Sequence, residues 1–277
     1  MRGIFWNMRG FGGDIKKRFL REMIMDMKVD LLGLQETMRQ QLSRNDLQQI
    51  CAGRVFHWHL TPSRGKSGGL LLGINYTTLD VISQDEGDHH INMTVQDLKT
   101  RFIWDLVVIY GDAQPERKAL FLAELSRVFQ NSINPILIGG DFNIIRKASE
   151  KNKPWFPGHW SFLFNAILEQ AGVRELDMNG RQFTWGNNMH IHTFEKQDRI
   201  LCSTEWEEAY PLTQVTALTR EKSDHTPLFL DSGDFQKSDP IFRFENAWFL
   251  REGIDEIVQK VWNDPNIKGD SIDRLLG

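Results

Sequence analysis

The feature that most restricts the fold lies in the first 35 residues. Gly3-Ile4-Phe5-Trp6-Asn7 and Asp30-Leu31-Leu32-Gly33-Leu34-Gln35 are two short, mostly apolar runs. Between them Phe19, Leu20, Met23, Ile24 and Met27 recur at three- and four-residue spacing. The short runs predict strands, and the spaced residues predict an amphipathic helix with Asp14 as its N-cap. Strand, helix, strand in so short a span is a βαβ unit, which implies parallel strands joined by a crossover helix.

Residues 55–60, 68–74, 91–98 and 101–110 are apolar or alternating and are separated by Pro/Ser/Gly or acidic turns, so each predicts a strand. Residues 115–129 predict a helix, with Pro115 in its first turn and Leu120, Phe121, Ala123, Leu125 and Val128 on its apolar side. Pro135-Ile136-Leu137-Ile138-Gly139-Gly140 is a further buried strand, 160–171 a further helix stopped by Gly172, and the remainder to Leu230 short strands and loops. With helices interspersed among buried strands and no linker before about Gly233, the expectation is one α/β domain over 1–232, with two sheets packed face to face. Residues 233–277 change character. Phe242, Phe244, Trp248, Phe249 and the run 254–262 predict an extended piece and an amphipathic helix, a C-terminal extension that begins a linker to a missing downstream region.

Composition narrows the function. Hydrophobic residues make up 40% and charged residues 25% of the 277 residues, which excludes disorder as the main state. No run approaches the roughly 18 apolar residues of a membrane span, and the N-terminus has no signal-peptide stretch, so an intracellular protein with no membrane partner is expected. Two cysteines, Cys51 and Cys202, are too few for a disulfide framework or a four-cysteine zinc site and are expected to be reduced. The net charge of −4 argues against a strongly basic coat protein. Three of those four negative charges fall in the extension from Gly233 onward, where nine acids face six bases.

The polar residues of interest stand where apolar strands begin or end: Asn7, Glu36, Tyr110, Asp141, Asn143, Asp198, Asp224 and His225. Each alone reads as a turn amide, a cap or a core-edge phenol. Together they place four carboxylates, two amides, a phenol and an imidazole at strand ends of one domain. Four acids so gathered would repel one another, and a hard cation relieves the repulsion. Mg²⁺ suits them, because it prefers oxygen ligands and binds through one or two carboxylates plus a phosphate. Such a set is equipped to hydrolyse a phosphoester.

The ordered series Trp6-Asn7, Gln35-Glu36-Thr37, Tyr110-Gly111, Gly140-Asp141-Phe142-Asn143, Asp198-Arg199-Ile200-Leu201 and Ser223-Asp224-His225 resembles the endonuclease/exonuclease/phosphatase superfamily, the DNase I-like enzymes. Trp6-Asn7-Met8-Arg9-Gly10-Phe11-Gly12, Ser67-Gly68-Gly69-Leu70, Phe183-Thr184-Trp185-Gly186-Asn187 and Phe242-Arg243-Phe244-Glu245-Asn246-Ala247-Trp248 resemble more closely the endonuclease domain of plant LINE-type non-LTR retrotransposons. The resemblance implies a four-layer α/β/β/α sandwich, two packed mixed sheets flanked by helices, with the site at one mouth. It implies Glu36 as the Mg²⁺ ligand, with Mn²⁺ as an alternative ion, and Asn7 and Asp224 helping at the metal and phosphate. It implies Asp141 handling the attacking water, Asn143 binding the phosphate or that water, Asp198 supporting His225, and Tyr110 directed at the phosphate. The expected activity is endonucleolytic nicking of DNA to leave a 3′ hydroxyl by a monomer with no obligate protein partner, in the nucleus. The alternatives are a phosphatase or phosphodiesterase on a small phosphoester such as a phosphoinositide, or a catalytically silent domesticated fragment. One departure concerns Arg9, which stands where some family members carry an acid, and Gln197 replaces a commoner apolar residue.

Several candidates carry less. His57/His59, His89/His90 and His190/His192 are assigned structural or surface roles. Of the bases flanking the motifs, Arg64/Lys66, Arg117/Lys118, Arg146/Lys147, Lys151/Lys153, Lys196 and Arg220/Lys222, we select Arg117 and Lys222 as phosphate contacts. Trp155, Phe156 and Trp160 are expected to cap the core rather than stack on bases.

Overall fold

The computed structural model describes residues 1–64, 68–156, 158–187 and 192–233. The C-terminal extension beyond Gly233, Lys66, Ser67 and His190 lie outside the described residues. In chain order the elements begin with β1 (Arg2–Asn7), α1 (Asp14–Asp26), β2 (Leu31–Gln35), α2 (Arg44–Ile50), β3 (Phe56–Thr61), β4 (Leu70–Asn75), β5 (Leu79–Glu86), β6 (His90–Asp97) and β7 (Ile103–Tyr110). A 3-10 turn (Pro115–Arg117) leads into α3 (Lys118–Asn131), followed by β8 (Ile136–Asp141), α4 (Gly158–Ala171), β9 (Val173–Glu175) and β10 (Met178–Asn179). The described part closes with β11 (Trp185–Gly186), β12 (Phe194–Glu195), β13 (Asp198–Ser203), α5 (Thr204–Ala209), β14 (Gln214–Ala217) and β15 (Leu228–Asp231).

Strands β1 and β2 pair in parallel, as the opening βαβ pattern requires. They lie inside a seven-stranded mixed sheet of order β10-β14-β15-β1-β2-β4-β3, and a six-stranded mixed sheet runs β5-β6-β7-β8-β13-β9. Side-chain alternation along each strand sorts the apolar residues into three layers. Phe5, Leu31, Leu72 and Ile74 of the first sheet meet Met93, Leu106, Val108 and Leu137 of the second in the central core. The opposite sides of the same strands, Ile4, Trp6, Leu32 and Leu34, pack on Leu20, Met23 and Ile24 of α1 and Ile50 of α2. On the far side Val107, Ile109, Ile138 and Leu201 pack on Phe121 and Leu125 of α3 and Phe164 and Leu168 of α4. These are the three interfaces of an α/β/β/α sandwich. The sheets approach closely around Phe5, because a Cβ on Gly33 or Gly139 would sit 2.9 Å or 2.7 Å from its ring.

Some local expectations differ from the structure. Asp14 is the first residue of α1 rather than its cap, and Gly13 caps it without a side-chain bond. Helix α5 occupies a stretch expected to hold only strands and loops. Trp155 does not cap the core and is 68% exposed. Both cysteines are free thiols, and burial pushes that of Cys202 up to about 12. Among the described residues no helix is long and apolar enough to cross a membrane. Behind the site Arg199, fully buried, pairs with Glu150 (3.2 Å) and Glu175 (3.0 Å), and Arg146 (2.9 Å) and Lys196 (2.6 Å) also reach Glu175. Burial raises the Glu175 carboxyl, but the charges of Arg199 and Lys196 prevail and hold it at about 2.

Candidate active site

The strand register brings the polar residues to one mouth. Asn7 pairs with Gln35 at the ends of β1 and β2, so Glu36 follows directly beside Asn7. Tyr110 pairs with Asp141 at the ends of β7 and β8. On the other side of β8, Asp198 stands opposite Asp141, where β13 begins. A bridge between Trp185 and His225 carries the segment before β15 to the same mouth, and the Trp6 indole donates to the His225 carbonyl at 3.3 Å.

Asp141 sits at the centre. Its Oδ1 accepts from the Asn143 backbone (2.9 Å), and its Oδ2 accepts from the amides of Asn7 (2.9 Å) and Asn143 (3.1 Å). Asn143 also donates to the Gly111 carbonyl at 2.9 Å. His225 Nδ1 lies 2.9 Å from Asp198 Oδ2, while its Nε2 is 3.8 Å from Asp141 Oδ2. That second gap is too long for a hydrogen bond, yet one oxygen atom at about 2.8 Å from each can lie beside both. Burial lowers the imidazole, but the charges of Asp198 and Asp141 outweigh it and raise His225 to about 9. Burial raises the Asp141 carboxyl, and the charge of His225 opposes that rise. A carboxylate reluctant to ionise beside an imidazole reluctant to lose its proton is an acid–base pair.

On the other side of the mouth Tyr110 donates from its phenol to Glu36 Oε1 at 2.5 Å. Burial and the Glu36 charge raise the phenol pKa, so Tyr110 is a neutral donor. Asp224 Oδ2 accepts from the Trp185 indole (3.2 Å) and from the Arg9 guanidinium. Arg9, Glu36 and Asn143 all have left-handed backbones, with φ of 45°, 49° and 52°. Such angles cost non-glycine residues of order 1–3 kcal/mol each, and strain of this kind gathers where side chains must be aimed.

The fit to a hard cation can be tested on these oxygens. Asp141, Asp198 and His225 offer ligand atoms within 4.8 Å of one another, the one such group among the described residues. Two of its members, however, already hold the third as their counter-cation. Among the described residues Glu36 keeps one oxygen without a hydrogen-bond partner, and Asp224 Oδ1 is buried without one. Free carboxylate oxygens of this kind are what Mg²⁺ or Mn²⁺ binds.

All eight predicted site residues from Asn7 to His225 therefore meet at one mouth. Of the two selected bases, Arg117 pairs with Asp112 at 3.0 Å, and neither it nor Lys222 lines the cleft. The cleft of about 1220 Å³ is lined instead by Arg9, Lys118 and Lys151 among its bases, together with Trp155 and Trp160. Lys118 donates to the Asn143 carbonyl, and its apolar neighbours at three- and four-residue spacing gave no sign of that role. Three other histidines meet carboxylates distant in sequence: His59 meets Glu86 (3.0 Å), and His89 and His90 share Glu124 (3.0 and 2.7 Å), whereas His57 meets the Gln84 amide (3.1 Å).

Residues 4–225 match the sequence profile of the Endonuclease/Exonuclease/phosphatase family, so the chain belongs to that family. Its members are hydrolytic nucleases and phosphatases, typically dependent on a divalent metal. The structure is similar to that of the 3′ phosphatase NExo from Neisseria bound to a product DNA hairpin (TM-score 0.64, 18% identity, 83% of this chain and 98% of that one). It is also similar to the endonuclease domain of TRAS1, a telomere-specific non-LTR retrotransposon (0.62, 15%, 83% and 97%). An AP endonuclease from Archaeoglobus fulgidus is similar too (0.63, 15%, 83% and 98%). At these identities the likeness concerns the fold. No curated protein matches the sequence significantly.

Proposed function

We propose that the chain is a Mg²⁺-dependent endonuclease that nicks DNA, derived from a LINE-type retrotransposon of plant kind and acting as a monomer in the nucleus. The observation that carries a polymer rather than a small phosphoester is the extent of the cleft. At about 1220 Å³ it exceeds the ~300–1,000 Å³ of small-molecule pockets, and Arg9, Lys118, Lys151 and the exposed Trp155 lie along it.

In this reading water attacks phosphorus, the bond to O3′ breaks, and a 5′ phosphate and a 3′ hydroxyl are released, the departing oxygen taking its proton from solvent water. Asp141, oriented by Asn7 and Asn143, takes the proton of the attacking water. His225, kept protonated by Asp198, donates from Nε2 to the phosphoryl oxygens as they gain charge. Tyr110 orients Glu36, and Asn143 contacts the phosphate. Glu36, with help from Asn7 and Asp224, would hold the divalent ion, which would supply neutralisation of the negative charge that develops in the reaction. The test is nicking of supercoiled plasmid with Mg²⁺ and with EDTA, beside phosphate release from an inositol phosphate. Metal-dependent nicking without phosphate release is expected. Phosphate release alone would give the small-phosphoester reading, and neither activity in folded protein would give the silent fragment.

A further inference from the structure

Three of the four carboxylates at the mouth already face a cation of the chain itself. Asp198 and Asp141 flank His225 at 2.9 and 3.8 Å. Asp224 faces Arg9. Glu36 is the exception: among the described residues its one side-chain hydrogen bond comes from the neutral Tyr110 phenol, and it forms no ion pair. The nearby Lys16 is committed to backbone, donating to the carbonyls of Met8 (2.5 Å) and Arg9 (3.1 Å).

Arg9 is held at its backbone and at its tip. Its left-handed backbone donates to Asn7 Oδ1 at 3.1 Å, and its carbonyl takes Lys16. The side chain is 61% exposed, yet its tip reaches a carboxylate whose side chain is only 9% exposed. Asp224 Oδ2 is thereby shared between Arg9 and the Trp185 indole, and only the buried Oδ1 remains without a partner. A guanidinium stays charged at every working pH. Its presence repels a second divalent ion at Asp224, whose one free oxygen can add to the ion on Glu36 but has, among the described residues, no other unpaired carboxylate beside it to found a site of its own.

We propose that Arg9 is the resident counter-cation of Asp224, so that the mouth takes one divalent ion, held by Glu36, and has no second divalent site on Asp224. The inference rests on the metal-dependent hydrolase reading and deepens it. It gives Arg9 a reason to stand where some family members carry an acid.

The test counts bound ions, with Mn²⁺ as the probe, by equilibrium dialysis and the electron paramagnetic resonance of free Mn²⁺, on the full chain with circular dichroism as the folding control. The native chain should bind one Mn²⁺. Asp224→Asn should still bind one, Glu36→Gln none, and Arg9→Asp two, because the last adds a carboxylate beside one freed of its counter-cation. Arg9→Lys, which keeps the charge, should bind one. Two ions in the native chain, or one ion in folded Arg9→Asp, would overturn the inference and leave the hydrolase reading standing. No ion in the native chain would overturn both.

Discussion

Replacing Asp198 by Asn tests the acid–base pair most directly, because it keeps the shape of the side chain and removes its charge. The rise of His225 from 6.5 to about 9 corresponds to about 3 kcal/mol in favour of the protonated ring. Asp198 is the largest favourable contributor to that rise, through its charge and through the 2.9 Å contact with Nδ1. Burial works in the other direction, so without the Asp198 charge only the more distant Asp141 opposes it. The ring should then titrate lower than in the native chain. Asp198 also orients the ring through Nδ1, so its replacement would misplace the Nε2 donor that meets the developing phosphoryl charge, and kcat should fall on the order of 10²- to 10³-fold with little change in KM. The readout is an NMR titration of the histidine rings, with His225→Gln identifying the signal among eight, together with single-turnover cleavage of a defined oligonucleotide. Because Asp198 acts through His225, Asp198→Asn added to His225→Ala should cost little beyond His225→Ala alone. An unmoved His225 titration, or full multiplication of the two losses, would refute the pairing.

Glu36→Gln should leave the fold intact and lower Mg²⁺-dependent nicking by orders of magnitude, and unchanged nicking by folded protein would remove Glu36 from the metal. A chain ending at Gly233 should fold, since the described sheets are complete by then, and an insoluble or molten product would show that the extension belongs to the core. Glu175 has a folded-state pKa of about 2 against 4.5, so its contribution is present above pH 4.5 and is lost as pH falls through about 2. Glu175→Gln should therefore cost about 3 kcal/mol in urea unfolding at pH 7, with the gap narrowing as pH drops below 4.5. A gap that stays constant across that range would contradict the assignment.

The layers were legible because β1, β2, β4, β7 and β8 are buried on both faces and so read as apolar runs, while α1 and α3 bury only a stripe. What escaped notice lacked that contrast. Strand β5 exposes most of its length at the edge of its sheet, so its sequence Leu79-Asp80-Val81-Ile82-Ser83-Gln84-Asp85-Glu86 looks like a polar loop. Helix α2 is seven residues long and is fixed by a capping box between Ser43 and Asp46 more than by an apolar stripe. The candidate catalytic residues could be located because strand ends converge, which is a property of the topology. Their electrostatics could not. The Arg9–Asp224 pair joins residues 215 apart, and the chain pattern gives no hint that a base rather than a cation from solution would meet that carboxylate.

Arg2 pairs with Asp231 across β1 and β15, and the amino group of Met1 donates to Ser232 Oγ at 3.0 Å. The chain thus enters and leaves the domain through neighbouring strands, about 5 Å apart, at the end of β1 opposite Asn7. Residues 1–233 accordingly behave as a cassette with a single attachment point. Spliced into a surface loop of another polypeptide, or closed head to tail and reopened elsewhere, the unit would keep its strand order and its catalytic mouth would face away from the junction.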